Sequence, residues 1–263
     1  MIGKIQQIHF WLAALTSLVL FAHSERAVAL DQQRVFRGAL LLEGQIVSGD
    51  FDRLRDALRD KAVFQKIKEG AFLASPGGDL LEAMRIGVLL RSLQLKTLLP
   101  VAPSQFAPAL IQARDLKNPS NYVCVSACFF LYLAGADRTP ASVGRLGVHQ
   151  PSPKWNDSGT PSQELLHAAE SKMNTAIAVY LTAMGIPDGI RQIIVSTPAD
   201  QVHWITRDEF AKYIYGRSPA LAKAVDDICG AAIEEKNANF ARCAKNVQTA
   251  VSQQAWAKSF EFH

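Results

Sequence analysis

Strands and helices alternate along most of this 263-residue chain, and that alternation predicts an α/β layered fold with a largely parallel sheet. A hydrophobic fraction of 49% is enough to fill one large core, so a single main domain with an extension is the natural organisation. "RVFRGALLLEGQI" reads as a strand ending near Gly44. "SGDFDRLRDALRDKAVF" follows with a Ser/Asp start and Phe51, Leu54 and Leu58 at helical spacing. "GAFLA" is a short buried strand stopped by "SPGG", Ser75 to Gly78, and Asp79 opens a helix running to about Leu93. "QLKTLLPV" and "YVCV" are further strands, the second leading into the apolar helix "SACFFLYLAGA", and "GRLGVH" is a strand ending on His149. Between them, residues 102–121 break the rhythm and read as an insertion or loop. A long helix is expected from Ser162 to Met184, and Thr206 and Glu209 stand in capping-box spacing at the head of another. From Ser218 onward the chain reads as a helical, polar extension.

The first 29 residues form a separate segment. Lys4 precedes a 13-residue apolar run, Phe10 to Ala22, and small residues follow at Ala27, Val28 and Ala29. That order predicts a secretory signal peptide cleaved after Ala29, in preference to Ser24. The apolar run is shorter than the roughly 20 residues a membrane-spanning helix needs. The expected division is therefore signal 1–29, main domain 30–216 and helical extension 217–263. A net charge of +4 without a Lys/Arg run gives no support to a nucleic-acid partner.

Export to a periplasm or beyond permits disulfides, and the four cysteines fall into two local pairs. Cys229 and Cys243 flank a stretch between two helical segments, where a staple closing a helical hairpin is expected. Cys124 and Cys128 are harder to read. In one helix their Cβ atoms would stand about 5–6 Å apart, beyond the roughly 3.5–4.5 Å of a disulfide. A bond is open to them only if Cys124 lies outside the helix. Their C-x-x-x-C spacing is not that of a thioredoxin-like redox motif, and no Cys/His cluster makes a metal set, so neither metal nor cofactor is expected.

Three polar features could carry chemistry. Ser126 stands at a strand-to-helix turn, where serine most often caps the helix but where a nucleophile would also sit beside helix N–H groups. His149 ends a strand, most simply as a histidine bonded to the local backbone. "SPGG" is an ordinary turn, or a place where backbone N–H groups approach a developing charge closely.

The ordered set, strand–"SPGG"–helix, strand–Ser–helix and strand–His, resembles the Clp protease proteolytic subunit and its crotonase-fold superfamily. "LEGQI", "LASPGGDLLEAMRIG", "SACFFLYLAGA", "VHQP" and "WITRDEFAKYIYG" each look like the corresponding family segment, over about Val35 to Gly216. The resemblance implies a fold of repeated ββα units and a serine peptidase acting on peptide or protein substrates. Carried over, Ser126 would be the nucleophile, His149 the general base, and the N–H groups of Gly77 and Ala127 the oxyanion hole. An ungapped match puts Val202 where the family has its aspartate; Asp200, two residues earlier, would serve if the loop shifts. The chain's exported character departs from the cytosolic, ring-forming family, and nothing implies an ATPase partner, while homo-oligomerisation stays open. The competing expectation is an inactive periplasmic scaffold or binding protein that keeps the fold.

Overall fold

The computed structural model of the protein describes residues 35–36, 38–99, 123–138, 145–152, 161–230 and 238–261. The expected signal segment, the insertion at 102–121 and most of the Pro/Gly/Ser-rich stretch after His149 lie outside the described residues.

Two sheets carry the fold. The larger runs in the order β1 (Val35–Phe36), β2 (Ala39–Glu43), β3 (Gly70–Ala74), β4 (Thr97–Leu98), β6 (Asp137–Arg138) and β9 (Gly216–Arg217). The smaller is β5 (Val123–Val125), β7 (Arg145–Val148) and β8 (His203–Trp204). The β2–β3, β3–β4, β4–β6 and β5–β7 pairs are parallel, while β1, β8 and β9 join antiparallel. The α/β class with a mostly parallel sheet is thus observed. Every residue of β3 is buried, as expected of a parallel strand covered on both faces. Just beyond β3 the chain changes sheets: Ser75 bridges to Cys124 of β5, donating its N–H to the Val123 carbonyl and accepting from the Val125 N–H.

The helices begin where the sequence places caps. Asp79 accepts the Glu82 N–H ahead of α3 (Leu80–Ser92), and Ser162 accepts the Leu165 N–H ahead of α5 (Gln163–Ala183). Thr206 and Glu209 form the expected capping box on α7 (Arg207–Glu209), which then widens into a π turn over Phe210–Ile214. Helices α1 (Asp50–Arg59), α2 (Lys61–Phe64) and α4 (Ala127–Leu133) complete the first half. α6 (Asp188–Ser196) has no counterpart in the sequence reading, nor do β6, β8 and β9, whose two residues each are too few to show a period.

α4 is the centre of the core: all seven of its side chains are buried, Phe129, Phe130 and Tyr132 among them. A helix covered on all sides cannot give its last carbonyls to water. Two arginines, Arg138 buried and Arg91 half-buried, take the carbonyls at its end instead. Arg91 donates to the carbonyls of Leu133, Ala134, Gly135 and Met184, and Arg138 to those of Leu133, Gly135 and Ile214. Burial, with the neighbouring Arg138 cation, pulls the Arg91 guanidinium down to about 10, and burial lowers Arg138 as well.

The C-terminal extension comprises α8 (Pro219–Cys229) and α9 (Ala238–Phe260), joined by the Cys229–Cys243 disulfide. α9 packs back onto the first half of the chain. Its Trp256 stacks on Phe64 and donates its indole N–H to the Leu58 carbonyl, while Ser252 donates to the Leu93 carbonyl.

α5 is locked onto this core through Tyr180. Its hydroxyl donates to the Phe130 carbonyl at 2.8 Å and lies in the space above Gly87, where a Cβ would stand 1.9 Å from it. A Gly87→Ala substitution is therefore expected to lower the unfolding free energy by about 1–3 kcal/mol in urea titrations. Adding Tyr180→Phe should recover part of that loss, because it removes the atom the new methyl meets.

Candidate active site

Ser126 and the "SPGG" turn meet where the two sheets adjoin, next to Gly147 of β7. Ser126 follows β5 directly and precedes α4. Its backbone is at φ 59°, ψ −123°, a left-handed conformation that side-chain-bearing residues adopt at a cost of about 1–3 kcal/mol. Its side chain makes no capping hydrogen bond. The common reading of a serine at this boundary, a helix cap, is thereby excluded.

Three contacts fix that turn. The Ser126 N–H donates to the Gly147 carbonyl of β7 at 3.0 Å. Gly77 lies against it, at φ +99°, where a Cβ would fall 2.8 Å from the Ser126 Cβ and 2.7 Å from the Val125 carbonyl oxygen. Only glycine fits there, by conformation and by space. The third contact is covalent: Cys124 and Cys128, both with 0% exposure, are disulfide-bonded with their Cα atoms 5.1 Å apart. Cys124 lies in β5, outside the helix, which is the condition that opens the bond to this pair. Closing so short a loop destabilises the unfolded chain by about 2 kcal/mol, comparable to the cost of the Ser126 backbone.

The "SPGG" turn supplies N–H groups beside the serine. The Gly77 N–H is taken by the buried Ser75 hydroxyl oxygen at 3.0 Å. The expected Gly77 donor is thus already engaged, whereas the N–H of Gly78 has no acceptor among the described residues. Ala127, at the first position of α4, also has an N–H without a preceding helical partner. Gly78 is itself packed tightly, since a Cβ on it would stand 2.1 Å from the Ile46 carbonyl oxygen.

His149, half-buried, comes two residues after Gly147, so β7 brings its ring to the end of the sheet that holds Ser126. Its Nδ1 lies 2.8 Å from the Gln150 carbonyl oxygen. A carbonyl only accepts, which assigns the proton to Nδ1 and leaves Nε2 with a lone pair in the neutral ring. Gln150 is anchored in turn, donating its N–H to the Thr197 carbonyl at the end of α6. Ser126 and His149 are not hydrogen-bonded to each other. Neither Gln150 nor Thr197 could be found from sequence, because both act through main-chain oxygen.

Asp200 is exposed, in a turn closed by the Gln201 N–H on the Pro198 carbonyl, and makes no hydrogen bond to His149. Val202 packs over Gly147, where a Cβ would meet its Cγ1 at 2.7 Å, so an apolar side chain covers the strand next to the serine. His203 has another partner: its Nε2 is 3.0 Å from both Glu209 carboxylate oxygens. Partial burial raises the Glu209 carboxyl, but the Thr206 N–H, His203 and the Thr206 hydroxyl outweigh it and hold it below the usual range. Among the described residues no cluster of three His, Cys, Asp or Glu could hold a metal ion. All four cysteines are in disulfides, which suits an oxidising compartment and leaves no thiol for redox chemistry. No helix of the described residues is long and apolar enough to cross a membrane.

No protein-family model matches the chain, and no curated protein matches it. Among solved structures it is similar to the membrane-bound stomatin-specific protease 1510-N, in a serine-to-alanine mutant form. That likeness has 16% sequence identity and a TM-score of 0.41, covering 71% of this chain and 82% of that one. At that level it carries no argument about activity, and the α/β class rests on the strand pairing described above.

The left-handed backbone makes a prediction independent of any chemistry. Ser126→Gly should be more stable than Ser126→Ala by about 1 kcal/mol in chemical denaturation, because glycine adopts this conformation without the Cβ penalty.

Proposed function

We propose that the protein is an exported serine hydrolase, a peptidase acting on peptide or protein substrates, with Ser126 as nucleophile and His149 as general base. The observation that carries this reading is the left-handed turn at Ser126, with its hydroxyl unused by the helix it precedes. A cap would need neither the backbone cost nor the glycine packed against it.

In the proposed reaction His149 Nε2 takes the proton from the Ser126 hydroxyl as its oxygen attacks the substrate carbonyl. The Gln150 carbonyl holds the imidazole through Nδ1–H, the orienting role an aspartate plays in a triad. The tetrahedral oxyanion is met by the N–H of Ala127 and by the Gly77–Gly78 turn, with Gly78 offering an N–H that has no acceptor among the described residues. His149 then returns the proton to the leaving amine, and water repeats the sequence on the acyl-enzyme. The two disulfides support an oxidising location, which periplasmic export would provide.

The inactive scaffold is the second reading, and two observations favour it: Ser126 and His149 share no hydrogen bond, and Val202 covers Gly147 next to the serine. A fluorophosphonate probe separates the two. The hydrolase reading expects covalent labelling that Ser126→Ala abolishes and that His149→Ala slows by about 100-fold or more. Asp200→Asn is expected to leave the labelling rate within about twofold, because a main-chain carbonyl orients the histidine. A folded wild-type protein that takes up no probe would establish the scaffold instead.

A further inference from the structure

We propose that the Cys124–Cys128 disulfide is a positioning device for Ser126: a covalent strap across the turn that keeps the hydroxyl in its reactive orientation. This rests on the assignment of Ser126 as nucleophile.

The two sulfurs are attached two residues before and two residues after the serine, one in β5 and one in the first turn of α4. Four residue steps of extended chain would span about 13 Å, whereas the two Cα atoms are 5.1 Å apart. The bond therefore joins the two arms of the turn at whose apex Ser126 sits. Opening the turn toward ordinary strand or helix geometry would separate those arms or rotate them, and both motions relieve the left-handed φ at Ser126.

The rest of the turn does not replace the bond. The Ser126 N–H is held by the Gly147 carbonyl and the Phe129 N–H closes on the Ser126 carbonyl, so the main chain is tied on one side to the sheet and on the other to the helix. Neither contact fixes the angle between the two. Gly77 blocks one direction of relaxation, since it has no Cβ and touches the serine directly. The disulfide, with both cysteines buried at 0% exposure, blocks the other.

Its role differs from that of the Cys229–Cys243 bond. That bond closes α8 onto α9 in the extension, with both cysteines half-buried and packed beside a separate small cluster around Leu221 and Phe240. The molecule thus contains its own control: one staple across the serine turn and one remote from it.

The test is saturation kinetics of fluorophosphonate labelling, which splits the apparent binding constant of the probe from the rate of its covalent step. Cys124→Ala/Cys128→Ala is compared with wild type and with Cys229→Ser/Cys243→Ser, each well below its measured melting midpoint. Loss of the serine-turn bond should slow the covalent step by about 10- to 100-fold while probe binding changes by less than about twofold. Loss of the remote bond should lower the midpoint and leave the covalent step unchanged. If the alanine pair does not fold, Cys124→Val/Cys128→Ala refills the apolar site. Graded dithiothreitol on the wild-type protein, followed by mass spectrometry of alkylated thiols, gives a second measurement: the covalent rate should fall in step with opening of this bond and return on reoxidation. Labelling as fast without the bond as with it overturns the positioning role and leaves the serine assignment standing. An oxidised wild-type protein that does not label at all overturns both.

Discussion

The complete burial of α4 is the constraint around which the protein is arranged. Seven consecutive side chains, Ala127–Leu133, are all inside, so this helix is packed on every face. At its C-terminus the carbonyls are satisfied by Arg91 and Arg138, which come from α3 and β6. Two guanidinium groups close together in a largely buried place repel each other and are costly to desolvate, yet together they donate to five different carbonyls. Each therefore ties the end of α4 to a different part of the chain, Met184 beyond α5 for Arg91 and Ile214 before β9 for Arg138.

The N-terminal end of the same helix is treated in the opposite way. No side chain satisfies it, and the residue at the cap position is held in a costly backbone conformation. One end of the helix is thus held by two arginines, and the other is kept in its positive-φ turn by a disulfide and a tightly packed glycine. The sheets make the arrangement reachable. Because Ser75 continues β3 into a bridge with Cys124, the glycine turn and the serine turn leave neighbouring strands at the same edge, and β7 delivers His149 beside them.

Much of this was legible in the sequence, and the reasons differ by element. Asp79, Ser162 and the Thr206–Glu209 pair advertise helix starts because a capping side chain must be of a particular type, and all three caps are formed. "GAFLA" was readable as buried because every position is apolar or small. The conformation of Ser126 was not readable: a glycine at φ +59° would have signalled itself, while a serine there looks like any cap. The partner of His149 was equally hidden, since Gln150 contributes only its carbonyl, and a search for a carboxylate leads to Asp200, which the fold leaves exposed. For the first cysteine pair, spacing alone could not say whether the residues share a helix; the boundary at Ser126 decided it.

The pairing of Trp256 with Leu58 bears on how the molecule can be made. The two residues are 198 positions apart, and the indole that closes on Leu58 also stacks on Phe64, at the far end of the first helical segment. All 198 positions that separate the two must have emerged before this strap can dock, so the α1–α2 region waits with apolar surface uncovered meanwhile. Closure at such sequence separation places a large loop entropy ahead of the stabilising contact and makes the final assembly slow. The apolar surface of the α1–α2 region therefore depends on protection until α9 docks.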